Sequence, residues 1–324
     1  MYMEKIDVTA LGELLIDFTE NGVSEQGNLL FEANPGGAPC NVLAMLTKLG
    51  HKTAFIGKVG NDFLGKRLKT AIEEVGILSD FLYMDNKVHT TLAMVHNFPD
   101  GDREFSFYRN PGADMMLTED EVSKELIQNS KIFHFGTLSM THKQVRQATK
   151  KAVSIAKEAK NIISFDPNLR LSLWEDLNEV KEQMIYGLEN CNILKISDNE
   201  IQWFTGRTDY TECVNVINNK YHIPFILLSL GKQGSRAYYQ GKMVEADSFL
   251  RKDTIDTTGA GDTFCACILH YILKYGLEDL NENILREMLV FSNCAASFIT
   301  TKKGALKVMP SKEEIEHIVL SYNR

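Results

Sequence analysis

The sequence predicts a doubly wound α/β fold, a mostly parallel sheet covered by helices on both faces, with a small β-sheet lid. Three observations lead there. Short apolar runs alternate with helical patterns from residue 53 to residue 230, the rhythm of a parallel sheet buried on both sides. A second set of short β-rich segments, early in the chain, interrupts that alternation. Glycine-rich turns precede two helical patterns far apart in sequence, Pro35-Gly36-Gly37-Ala38-Pro39-Cys40-Asn41 and Asp256-Thr257-Thr258-Gly259-Ala260-Gly261-Asp262. Such turns put backbone N–H groups at helix N-termini, where anions bind well.

Residues 6–17 read as one buried first strand that ends in Asp17. The segments 28–33, 80–84, 88–97 and 103–109 are the lid candidates, so the lid draws on about 18–34 and 80–112, with Asp100-Gly101 as a turn between two of its strands. A helix begins at Pro39, whose missing N–H costs nothing in a first turn. Val42, Leu43, Met45, Leu46 and Leu49 form its apolar face, and Asn41 lies one turn in. Residues 53–59 form a strand, and Asp62 caps the helix after it. A strand at 131–135 precedes a helix at 141–160, and 162–165, 192–196 and 225–230 are further strands. The apolar run 264–273 gives the helix that follows the second glycine turn. The chain shows no repeat, low-complexity tract or Pro/Gly-rich linker, so residues 1–324 are expected to form one domain that includes the lid.

The composition narrows the partners. A net charge of −8 argues against a general nucleic-acid or anionic-membrane surface. No apolar run is long enough to span a bilayer, and Met1-Tyr2-Met3-Glu4-Lys5 lacks the pattern of a signal peptide. None of the six cysteines forms a C-x-x-C pair, and most sit among apolar neighbours. They read as reduced, mostly buried thiols of a cytoplasmic protein. The eight histidines show no zinc-ligand spacing.

The second glycine turn carries the chemistry. Gly259, Ala260 and Gly261 supply N–H groups at a helix start, and Asp262 sets a carboxylate beside that anion cradle. Phosphoryl transfer to a hydroxyl needs both, donors for the charge on the moving phosphoryl group and a base for the hydroxyl proton. Gly-Ala-Gly also suits a plain tight connection, with Asp262 as a cap. A dinucleotide-binding loop fits worse, because Phe264 stands where its third glycine is needed. Gly60-Asn61-Asp62-Phe63-Leu64-Gly65-Lys66-Arg67 nearly matches a P-loop, but Arg67 replaces the Mg²⁺-holding Ser or Thr. Asp17, at a strand end, can accept hydrogen bonds from two sugar hydroxyls, or stand as a solvated or capping residue. Phe107 and Arg109, two apart on a strand, share a face. Arg170, just past Asp166-Pro167, can fork onto phosphate oxygens or pair with Asp166.

Taken together, the chain resembles the ribokinase-like (PfkB) family of sugar kinases, whose signatures are Gly-Gly-x-x-x-Asn near the N-terminus and Asp-Thr-x-Gly-Ala-Gly-Asp near the C-terminus. Within that family it looks most like the fructokinases. The likeness runs over nearly the whole chain, through Gly12-Glu13-Leu14-Leu15-Ile16-Asp17-Phe18, Phe107-Tyr108-Arg109-Asn110-Pro111, Asp166-Pro167-Asn168-Leu169-Arg170 and Lys303-Gly304-Ala305. The resemblance implies ATP-dependent conversion of D-fructose to fructose 6-phosphate with Mg²⁺, with Asp262 as the base. It carries over Asp17, Gly36, Gly37 and Asn41 as sugar ligands and favours Phe107 or Arg109 as a lid contact. Lys195 and Ser197 fall on the nucleotide side, where Ser197 replaces the family's usual Asn and Glu200 remains to organise Mg²⁺ through water. Ser229, Gly231 and Gly234 match the nucleotide loop, and Asn293 matches a position beside the adenine, though a helix-packing amide would serve as well there. Asp256 and Thr258 are candidates for holding a monovalent cation such as K⁺. Lid strands with open edges suggest a homodimer formed through the lid. A kinase for ribose, 2-keto-3-deoxygluconate or aminoimidazole riboside is the nearest alternative, and a non-catalytic sugar sensor on the same fold is the other.

Overall fold

The computed structural model describes residues 4–97 and 103–322; the turn expected at Asp100-Gly101 lies outside them. The chain enters through β1 (Ile6–Leu11) and then leaves the main sheet. Gly12, Glu13 and Leu14 redirect it into β2 (Leu15–Val23), which pairs antiparallel with β3 (Leu29–Gly36). The continuous first strand expected over 6–17 is thus two strands in two sheets. Both halves are buried along their apolar positions, so hydrophobicity alone carries no mark of the break. Helix α1 (Ala38–Lys48) follows, with Pro39 in its first turn, and then β4 (Thr53–Gly60), α2 (Phe63–Glu74) and β5 (Leu82–Asp85). The lid is completed by β6 (Leu92–Asn97) and β7 (Arg103–Tyr108).

From there the chain alternates strand and helix. It runs through α3 (Lys124–Gln128), β8 (Ser130–Gly136), α4 (Lys143–Glu158), β9 (Ile162–Asp166), α5 (Leu177–Asn190), β10 (Ile193–Ser197), α6 (Asp198–Thr205), α7 (Tyr210–Tyr221) and β11 (Phe225–Ser229). A hairpin, β12 (Ser235–Tyr239) and β13 (Lys242–Ala246), closes one edge. Three helices finish the chain, α8 (Ala260–Tyr275), α9 (Glu282–Ile299) and α10 (Lys312–Tyr322).

The main sheet has nine strands in the order β13-β12-β11-β10-β9-β8-β1-β4-β5, parallel from β11 to β5. The lid has four, in the order β3-β2-β6-β7, with β2 and β6 parallel. Segment 80–84, expected in the lid, contributes β5 to the main sheet instead, where it pairs with β4. A four-residue strand carries no sequence signal of which sheet it joins. The strand order reverses at β1, which lies between β4 and β8.

Side chains alternate between two cores, one on each face of the main sheet. Along β11, Phe225 and Leu227 join α1, α8 and α9, while Ile226 and Leu228 join α4, α5 and α7. Phe55, Phe133, Phe135, Phe165 and Phe225 are fully buried, each worth about 1.5–3 kcal/mol of burial. The near P-loop segment is a helix cap. Asp62 accepts from Gly65 N at 2.8 Å and from both Thr90 N and Oγ1 at 2.8 Å. All six cysteines are free and buried. No helix among the described residues is long and apolar enough to cross a membrane.

Candidate active site

Two cavities open along the carboxyl ends of the parallel strands, where ligands sit in such sheets. One, about 170 Å³, is lined by Glu13 just past β1, Leu138 past β8, Asn168 and Arg170 past β9, and Lys195 on β10. Asp17 and Phe107 reach it from the lid, and Gly37, Asn41, Thr257, Gly259, Gly261 and Asp262 from the two glycine turns. The other, about 370 Å³, has Ser197, Asp198, Ser229, Gly231 and Gly234 on one side and Phe249, Leu250, Phe264 and Ala296 on the other. Thr257 and Gly261 line both, so the cavities meet at the N-terminus of α8.

That N-terminus is open. No side chain caps it, and the first N–H groups of a helix have no partner inside it. Gly259 holds φ at 77°, where a Cβ would also meet Ala305 Cβ at 2.5 Å. Of the three expected donors, Ala260 corrects the sequence reading. Its N–H turns back to Thr257 O at 3.3 Å. Asp256 ties the turn together, its Oδ1 accepting from Thr258 N and Oγ1 at 2.8 and 2.7 Å and its Oδ2 from Gly304 N at 3.0 Å.

Asp262 is in the first turn of α8 and buried. Asn41 Nδ2 donates to its Oδ2 at 2.8 Å, which locks α1 to α8. Burial raises the Asp262 pKa, and the Asn41 bond and the charges of Lys195 and Arg170 pull against it. Asn41 Oδ1 is buried and accepts nothing from the described residues, an acceptor left open on a cavity-lining residue. Gly36 lies close against Asp17, so that a Cβ there would push the end of the Asp17 side chain aside. Asp17 lies third in β2, opposite Asn34 of β3, rather than at a strand end, yet the lid brings it to the cavity.

Lys195 belongs to the small cavity rather than to the nucleotide side alone. Its Nζ sits 2.9 Å from Asp166 Oδ2 and 3.1 Å from where a Cβ on Gly261 would stand. Burial would depress the Lys195 pKa, but the Asp166 and Glu200 carboxylates outweigh it and hold the ammonium charged. Behind it, burial and that charge push His134 down to about 3. Arg170 lines the cavity, and its Nη1 donates to Leu169 O at 3.1 Å.

Three further expectations change. Arg109 does not share the Phe107 face of the lid. It lies past the end of β7, buried, with Nε on Asp114 Oδ2 at 2.8 Å, Nη1 on Thr141 Oγ1 at 2.7 Å and Nη2 on Leu138 O at 3.0 Å. Asp114, which also accepts from Thr91 Oγ1, draws it inward. Asn293 is the packing amide. It donates to Ala246 O and Asp247 O at 3.1 and 3.0 Å and accepts from Ser235 Oγ at 2.9 Å, so it lines the large cavity with its amide already used. Ser197 caps α6 in a capping box with Glu200, whose Oε2 takes Ser197 N and Oγ at 2.9 and 2.6 Å while Oε1 takes Leu169 N at 2.6 Å. Glu200 lies behind the cavity wall rather than on it, and Asp198 is the carboxylate on the wall.

Sequence reasoning missed Glu13, Asn168 and Thr257 as cavity residues. The signal for Glu13 was present, as a lone charge inside an otherwise apolar run. Asn168 holds a φ of 43° after Pro167, a conformation that Asn tolerates well.

Comparison with known proteins adds independent findings. The family model described as pfkB family carbohydrate kinase matches residues 5–312. A probable fructokinase of Arabidopsis thaliana is 37% identical over 320 residues, covering 98% of this chain and 97% of that protein. A fructokinase of Xylella fastidiosa, solved with bound ATP, superposes with a TM-score of 0.89 at 24% identity, covering 98% of this chain and 99% of that one. A fructokinase variant of Vibrio cholerae O395, solved with fructose, ADP and potassium ion, gives 0.86 at 23% identity, with 98% and 99% covered.

Proposed function

The chain belongs to the pfkB family of carbohydrate kinases, and from that membership we propose that it is an ATP-dependent fructokinase acting on the 6-hydroxyl of D-fructose. The observation that carries this reading is the meeting of the two cavities at Thr257 and Gly261, with Asp262 on the small side of the seam. The small, polar cavity suits one sugar, and the larger one, walled by Phe249, Leu250 and Phe264, suits a nucleotide.

In this reading Asp17 and the orphaned Asn41 Oδ1 take sugar hydroxyls, with Phe107 closing over them from the lid. Asp262 accepts the proton of the attacking hydroxyl. The N–H groups at the start of α8, with Lys195 and Arg170, face the transferring phosphoryl group. Mg²⁺, when bound, would neutralise charge on the β- and γ-phosphates. Asp198, on the wall of the larger cavity, is the carboxylate that would hold it, with Glu200 engaged in the α6 cap behind, which suits an ion that keeps several of its own waters. A monovalent cation such as K⁺ would sit beside Asp256 and Thr258. The six free, buried cysteines suit a reducing cytoplasm. Residues 1–324 act in this account as one ribokinase-like unit, the lid included.

A sugar panel tests the substrate. Fructose is expected to give the highest kcat/KM among fructose, ribose, glucose, 2-keto-3-deoxygluconate and aminoimidazole riboside. Asp17→Ala is expected to raise KM for fructose by roughly 10-fold or more while KM for ATP stays near its original value. If a nucleoside or keto-acid wins the panel, the kinase survives and the fructokinase reading fails. If Asp17→Ala changes only KM for ATP, the sugar pocket is misplaced.

We propose that the lid pairs with that of a second copy of the chain. Val23, Leu29, Leu30, Phe31 and Tyr108 are exposed on it, and its outer strands β3 and β7 leave edges open. Pairing lids across a two-fold axis would cover both. Sedimentation at micromolar concentration should show a dimer, and Phe31→Glu should shift it toward monomer. A wild-type protein that sediments only as a monomer contradicts lid pairing.

A further inference from the structure

Glu13 stands where the topology, rather than the sequence, puts a ligand-reading group. Ligands of doubly wound sheets lie beyond the strand ends at the point where strand order reverses. That point here is β1, and Glu13 is the second residue past its end. The strand-end carboxylate of the folded chain is Glu13, while Asp17 lies within β2. It lines the small cavity together with Asp17, Asn41 and Asp262, and it is only 4% exposed.

One of its oxygens has a structural task. Oε1 accepts from Ala38 N at 2.9 Å, at the first residue of α1. Among the described residues no side-chain donor reaches the carboxylate. Arg109, the cation whose field it feels, is already committed to Asp114. A carboxylate offers about four acceptor sites, and burying them without donors is costly. Burial pushes the Glu13 carboxyl up to about 7; its own backbone N–H, the Ala38 N–H and the Arg109 charge pull back, and the Asp114 charge adds to the rise. A neutral O–H arriving from the cavity would add to its two backbone donors.

We propose that Glu13 is a sugar-reading residue of the small cavity, whose carboxylate accepts a hydroxyl of the bound sugar while Oε1 fixes the start of α1. This rests on the kinase reading above. It adds a third carboxylate, beside Asp17 and Asp262, to the groups that select the acceptor.

Glu13→Gln separates the two tasks. The amide oxygen still accepts from Ala38 N–H, but a donor replaces the second acceptor. KM for the sugar should rise roughly 10–100-fold, the range for losing a hydrogen bond to a charged group, while KM for ATP and Tm hold. Calorimetric titration of the sugar without nucleotide should show the same fold-loss of affinity. Glu13→Asp serves as the second variant should Glu13→Gln lower Tm, with the same expectation of a rise confined to the sugar. A rise shared equally by ATP, or no rise at all, overturns the proposal and leaves Glu13 as the cap of α1. Wild-type turnover over the sugar panel judges the functional reading separately, and the ratio of variant to wild type on the preferred sugar judges Glu13. A wild-type protein that phosphorylates no sugar of the panel sinks both.

Discussion

Asp262→Asn is expected to lower kcat by about 10²–10⁴-fold, the usual cost of losing a general base, while ATP affinity stays within about twofold. The structure makes this a clean substitution. Asp262 is buried in the first turn of α8, and among the described residues the one side chain that donates to it directly is Asn41, at 2.8 Å. An amide oxygen can still accept that bond, so α1 and α8 remain joined and Tm should barely move. What is lost is the proposed proton acceptor. On that reading the same residue would set the acid limb of the rate. Burial raises its pKa, and a base works only when deprotonated, so kcat/KM for the sugar should fall as pH drops through a value above the ordinary aspartate range. Two results would remove Asp262 from the chemistry: a variant turning over at the wild-type rate, or a profile flat down to the ordinary aspartate range.

Gly261→Val should cost about 10²–10³-fold in kcat, the scale of losing one donor to a developing anion. Its backbone is ordinary; the left-handed conformation belongs to Gly259 alone of the two. The demand at Gly261 is therefore space. A Cβ there would lie 3.1 Å from Lys195 Nζ, and a branched side chain would fill the seam shared by both cavities. The fold should survive, read as an unchanged Tm, while ATP binding and turnover fail together. Gly259→Ala is the contrast, because a positive φ costs a non-glycine residue roughly 1–2 kcal/mol and its effect should appear in Tm as well. If Gly261→Val keeps both turnover and ATP affinity, the phosphate cradle lies elsewhere.

Much of the architecture was legible because it depends on local pattern. The alternation from residue 53 to residue 230, the helix started by Pro39, the Asp62 cap and the glycine turn before α8 each follow from a few neighbouring side chains. What was illegible depends on distant partners. The break after Leu11 is invisible because β1 and β2 are both apolar, so Asp17 was assigned to the wrong strand while Glu13 went unnoticed. Arg109 shares strand parity with Phe107, and only the position of Asp114 shows that it turns inward. The Asn293 amide is consumed by carbonyls of the hairpin end, Ala246 and Asp247, which no helical pattern could reveal. Likewise Ser197, which replaces a residue expected to organise metal, is explained by the cap it builds with Glu200.

The Asn41–Asp262 hydrogen bond joins residues 221 positions apart. At ribosomal speeds of about 5–20 residues per second, roughly 10–45 s pass between the synthesis of these two side chains. During that interval β1 can already find β4 and β8, but the inner face of α1 has no α8 to cover it. The proposed phosphate cradle and base, Gly261 and Asp262, arrive together at the start of the same helix. On the proposed reading, a growing chain holds the sugar-side turn long before the turn that would face a phosphoryl group, and through that interval the side of α1 that α8 will cover stays without its partner helix.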